Sequence, residues 1–127
     1  MDFDTFAQLL RDRLPQGLEL NNPGAGTSTV MWCDDDRICY RRGKLRLYIG
    51  IRDLYEAYLR FSGCELSSRQ LKDYAPLLYD SRRNGHNCHC TFFFLALRQM
   101  GIVAEIWGTG RAGNPFGVTL PAIQATA

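Results

Sequence analysis

From Cys90 to Met100 the chain reads CTFFFLALRQM, and this run limits the fold more than any other stretch. Apolar residues occupy most of the circumference of a helix drawn through it, so it needs neighbours on nearly every side. The spacing predicts a central helix that begins at Cys88 or Cys90 and is stopped by Gly101. The chain has 127 residues, 46% hydrophobic and 22% charged, which suits a single domain over 1–127 built round such a helix. Phe92, Leu95 and Ala96 or Leu97 are expected to meet Leu54, Tyr58 and Leu71 in the core.

The remaining elements follow from periodicity and punctuation. Phe3, Phe6, Ala7, Leu10 and Leu14 recur at helical spacing, predicting a helix over 3–13 closed by Pro15 and Gly17. NNPGAGTS (21–28) reads as a loop. Three strands are expected at Ser28–Cys33, Arg37–Arg42 and Leu45–Ile51, turning at Asp34-Asp35-Asp36 and at Gly43. In the last of them Leu45, Leu47, Ile49 and Ile51 alternate with Arg46 and Tyr48, a period of two. Leu54, Tyr55, Tyr58 and Phe61 mark a second helix ended by Gly63. A third runs from a Ser67 cap, with Gln70 completing a capping box and Leu66 and Leu71 a staple, to Ala75 before Pro76.

PLLYDSRRNGHN (76–87) reads as a polar connection into the central helix. Ile102–Trp107 and Phe116–Leu120 read as two strands round the turn 108–115, and the tail PAIQATA is expected to fray. Strands grouped beside helices argue for an α+β fold: an N-terminal helix, a three-stranded antiparallel unit, a three-helix core and a C-terminal β-hairpin.

Charge and cysteine use narrow the function. Asp2 and Asp4 precede the first apolar residues, the wrong sign for a secretory leader, and no apolar run approaches membrane-spanning length. The expected setting is cytoplasmic, with no membrane partner. Cys33, Cys39, Cys64, Cys88 and Cys90 make an odd number, which disfavours a disulfide framework.

Residues 1–36 hold two basic and seven acidic side chains, whereas 37–127 hold thirteen basic and six acidic ones. Thirteen of the fifteen cations are arginine, whose flat fork suits phosphate or carboxylate, although arginine use can also follow genomic base composition. In CYRRGKLRLY (39–48), Arg41, Arg42, Lys44 and Arg46 occur with no acid between them, following Arg37. Tyr40 and Tyr48 are interleaved and can stack on a base. Such a hairpin can lie along a phosphate track, or be an edge kept soluble by its charges.

Residues 52–120 resemble a winged helix-turn-helix domain. The order is a first helix (52–62), a capped second (67–75), and an apolar third whose end, Leu97, Met100, Gly101 and Ile102, leads into a hairpin with a loose tip. The connection from Pro76 to Asn87 is longer than the usual turn of that family, and the strands in front lie outside its minimal fold. The resemblance implies binding to duplex DNA. His86, Asn87 and His89 at the start of the third helix would face base edges. Arg111 at the wing tip would meet backbone, with Arg69, Lys72, Arg82 and Arg83 round the connection.

HNCHC (86–90) is the densest chemistry. Zinc takes thiolate and imidazole, but Cys-x-Cys opening a helix is not its usual spacing. The segment 88–108 is also similar to the nucleophile helix of transglutaminase-like cysteine enzymes, which would make Cys88 or Cys90 the nucleophile. No histidine follows His89 to serve as base, and Glu105 is the sole acid after Asp80. The preferred reading is structural: the cysteines fill space and Asn87 or Thr91 caps the helix. Walker, HExxH and GxSxG motifs are absent, and Asp34-Asp35-Asp36 reads as a solvated turn. The expectation is a nucleic-acid-binding domain without catalysis, metal or cofactor. The alternatives are a protein-interaction module or homodimer using Trp32, Tyr40, Tyr48 and Trp107, and a cysteine-dependent enzyme.

Overall fold

The computed structural model describes residues 1–123 as an α+β fold. The expectation for the last four residues of the tail lies outside the described residues. Helix α1 (Phe3–Arg13) is capped by the Asp2 carboxylate, which accepts a hydrogen bond from the Thr5 N–H at 2.8 Å, and buries Phe6, Ala7 and Leu10. A four-stranded antiparallel sheet follows in the order β1 (Glu19–Asn21), β2 (Thr27–Cys33), β3 (Arg37–Arg42), β4 (Leu45–Gly50). Strand β1 falls partly in the stretch expected to be loop. At three residues it is too short to show a period, and its pairing with Ser28 and its neighbours defines it.

Alternation in β3 and β4 gives the sheet two unlike faces. Val30, Ile38, Tyr40, Leu47 and Ile49 point to the core. The helices then cover that face. Gly50 leads straight into α2 (Ile51–Arg60), so Ile51 opens a helix where a strand end was expected. Strand β5 (Glu65–Ser67) runs into α3 (Ser68–Tyr74), whose capping box forms as expected: Ser67 Oγ accepts from the Gln70 N–H at 3.4 Å and Gln70 Oε1 from the Ser67 N–H at 2.7 Å. Leu66 and Leu71 are both buried.

The connection expected to be polar and irregular contains α4 (Pro76–Tyr79) and a 3-10 turn (Ser81–Arg83). Pro76 starts α4, and Tyr79 anchors it in the core. Helix α5 (Cys88–Gln99) is the central helix: every residue from Phe92 to Leu97 is buried, and Phe92 stacks on Tyr40 with centroids 3.9 Å apart. Neither Asn87 nor any other side chain caps it; Asn87 is itself helical in backbone.

The expected C-terminal hairpin is corrected. Gly101 takes a left-handed conformation, and the N–H groups of Ile102 and Val103 donate back to the Leu97 carbonyl at 3.0 and 3.4 Å. Those bonds make Ile102 and Val103 part of the helix cap, with Val103 pinned in the core, and no strand forms over 102–106. Only Trp107 bridges to Gly117, and β6 (Gly117–Thr119) pairs along its length with β5. Among the described residues no helix is long and apolar enough to cross a membrane.

Candidate nucleic-acid interface

The antiparallel pairing of β5 with β6 draws the 107–117 loop over the start of α3 and of α5, leaving a cleft of about 830 Å³ between them. Five cations line it from four separate parts of the chain. Arg42 comes from the end of β3. Arg69 and Lys72, three residues apart, share one face of α3. Arg82 comes from the 3-10 turn and Arg111 from the loop. Asp73 and Asp80 are the acids in the lining, and the Asp80 carboxylate already accepts a 2.9 Å bond from the Arg82 N–H. Ser68, Thr91 and Phe116 line the cleft as well, and no pattern in the sequence marks them, because only the β5–β6 pairing brings them there.

The loop that carries Arg111 is tightly built. The Thr109 and Gly110 N–H groups donate to the Asn114 carbonyl at 3.2 and 3.0 Å, and the Asn114 N–H donates to the Arg111 carbonyl at 2.9 Å. Gly108 has φ +94°, and a Cβ there would collide with the Pro115 carbonyl. Arg111 is thus presented from a fixed turn rather than a loose tip.

The expected site residues divide by place. Arg42, Arg69, Lys72, Arg82, Asn87 and Arg111 meet in the cleft. Asn87 is held there by Ser81: its Oδ1 accepts from the Ser81 N–H at 3.0 Å while its own N–H donates to Ser81 Oγ at 2.9 Å. Arg83 and His86 are exposed nearby but outside the lining. Arg41 and Arg46 pair with each other across β3 and β4, on the opposite face of the sheet from Arg42, and Lys44 stands in the turn between. Period-two alternation divides the basic hairpin between two surfaces.

His89 does not face a groove. It is 3% exposed, its Nδ1 shares a 2.8 Å hydrogen bond with the Tyr40 hydroxyl, and its ring meets His86 edge-on at 5.3 Å. Burial, with a smaller contribution from His86, pushes its pKa down to about 4, so the ring is neutral. Tyr40 is likewise in the core and not available for stacking on a ligand.

Cys90 is 2% exposed and its Sγ faces the carbonyls of Tyr79 and Ser68 at 3.8 and 3.9 Å. Burial pushes the thiol up to about 12, which keeps it protonated and unreactive. Cys88 is half-buried on the cleft wall. Among the described residues no group of three His, Cys, Asp or Glu side chains could hold a metal ion.

Comparison with protein-family models, with curated proteins and with solved structures gives no match for this chain.

Proposed function

We propose that this domain binds nucleic acid by holding backbone phosphates in the cationic cleft. The observation that carries the reading is the convergence of Arg42, Arg69, Lys72, Arg82 and Arg111 from four segments on one concavity with two acids. Cations gathered this way repel one another, and an anionic ligand relieves that repulsion as it releases its own counterions.

The element order supports a winged-helix-like reading of residues 52–120: β5 lies between α2 and α3, and β6 has β5 on one side and Trp107 on the other. The burial of α5 argues against that family's major-groove reading. Its N-terminal turn holds His89 and Cys90 in the core, and the side that carries Cys88 and Thr91 forms the wall of the cleft rather than a projecting face. The contacts offered are to phosphate, so duplex DNA would be bound with little regard to sequence.

Fluorescence anisotropy with labelled duplex and single-stranded oligonucleotides at several salt concentrations tests the reading. Wild-type protein is expected to bind at micromolar concentration in low salt. Arg111→Ala should weaken all duplexes alike and make the log–log salt slope shallower by about 0.9. Absence of binding by either nucleic acid in low salt overturns the proposal.

A further inference from the structure

The four-stranded sheet has a second face, turned away from α5. On it Arg41 lies opposite Arg46, Cys39 opposite Tyr48, and Trp32 beside Cys39. The Trp32 and Tyr48 rings are 5.8 Å apart, and the Arg37 guanidinium sits over both, 5.5 and 4.8 Å from their centroids. Tyr48 is 43% exposed, and all three arginines are exposed. The register also places Glu19 on this face, at the β1 edge across Thr29 from Arg41, and the Asp34 carboxylate sits in the turn beside Arg37. Asp35 and Asp36 follow in the same exposed turn, and the exposed side chains that β3 and β4 themselves present on this face are Arg37, Arg41, Arg46 and Tyr48.

Arg41 and Arg42 are consecutive, so one strand sends one cation to this face and the next into the cleft. Lys44 occupies the turn between them and Arg46. Positive charge therefore continues round the end of the sheet. A duplex, with a persistence length of about 150 bp, cannot turn round the end of one sheet without a large bending cost. A single strand can, and its unpaired bases present π faces to aromatic rings and to guanidinium.

We infer that the domain takes single-stranded nucleic acid round the β3–β4 turn, with phosphates on Arg46, Arg41, Lys44 and Arg42 and bases against the cluster of Tyr48, Trp32 and the Arg37 guanidinium that lies over both rings. The inference rests on the cleft reading for where the strand continues past Arg42. It adds a second binding surface and a ligand class.

The probe is an oligothymidylate of about 15 nucleotides, within the span one small domain covers. It is titrated into wild-type protein and into Trp32→Phe, in which Trp107 alone emits. Quenching is expected in the wild type and not in Trp32→Phe. Tyr48→Ala should weaken binding about tenfold. The pair Arg41→Glu and Arg46→Glu should weaken it further and make the salt slope shallower by about 0.7 for each phosphate no longer neutralised. A duplex of equal length should compete poorly.

Binding by anisotropy with Trp32 emission unchanged, and with affinity unaffected by the three substitutions, overturns the inference and leaves the cleft reading standing. Self-association through this face in sedimentation, abolished by Arg41→Glu with Arg46→Glu and unaccompanied by quenching, also overturns it in favour of a second copy of the chain. Failure of both nucleic acids to bind the wild type overturns the cleft reading first and this one with it.

Discussion

The His89 ring lies in the core against Tyr40, and there it stays neutral until about pH 4. An unfolded chain would protonate the same imidazole near its ordinary value of 6.5. The folded state therefore binds fewer protons between those two values, and stability falls as the pH is lowered through that window. His89 contributes nothing pH-dependent above about pH 7. By pH 5 its share of the loss should reach about 2 kcal/mol. Urea denaturation at pH 7 and pH 5 measures it. His89→Gln, which keeps a polar partner for Tyr40, should lose less between the two pH values than wild type by about that amount. Equal losses in both proteins would mean that the imidazole is not held neutral. His86, three residues earlier and exposed, shows how little the residue type alone says about the role.

At the scale of elements, the 107–117 loop decides where Arg111 stands. Three of its glycines, Gly108, Gly110 and Gly113, have positive φ, yet they are not equivalent. Gly113 has open space where a Cβ would be, whereas at Gly108 a Cβ meets the Pro115 carbonyl. Gly113→Ala should cost only the left-handed conformation, about 1 kcal/mol. Gly108→Ala must also shift the turn. It should destabilise the domain by more and reduce nucleic-acid affinity to the level of Arg111→Ala, although it removes no charge. Thermal denaturation with anisotropy on the two variants checks the contrast; equal binding by both would mean that the loop's shape is immaterial. The β5–β6 pairing acts one level up, because it anchors this loop over α3.

For the whole molecule, the cleft concentrates like charges that folding brings together, so a small polyanion should stabilise the fold. Tripolyphosphate at a hundred times its Kd should add about 2.7 kcal/mol. The melting temperature should rise by several degrees, and the rise should shrink in Arg69→Ala with Lys72→Ala, read by differential scanning fluorimetry against sodium chloride of equal ionic strength. A rise that is the same in both proteins would place the anion elsewhere. Much of this molecule was legible along the chain. Helix α1, the strands β2 to β4, the capped α3 and the buried α5 follow from local period and capping, since each depends on residues close in sequence. The excess of arginine after residue 36 was legible for the same reason: charge can be counted without coordinates. What the chain alone left open were the relations between distant residues. Strand β1 exists by pairing, β6 chooses β5 over the segment after α5, and His89 is a core residue because α5 turns it toward Tyr40. The cleft itself is of that kind. Arg42 and Arg111 are 69 positions apart in sequence, and they share a concavity only because sheet pairing and helix packing, which act through space, bring them together.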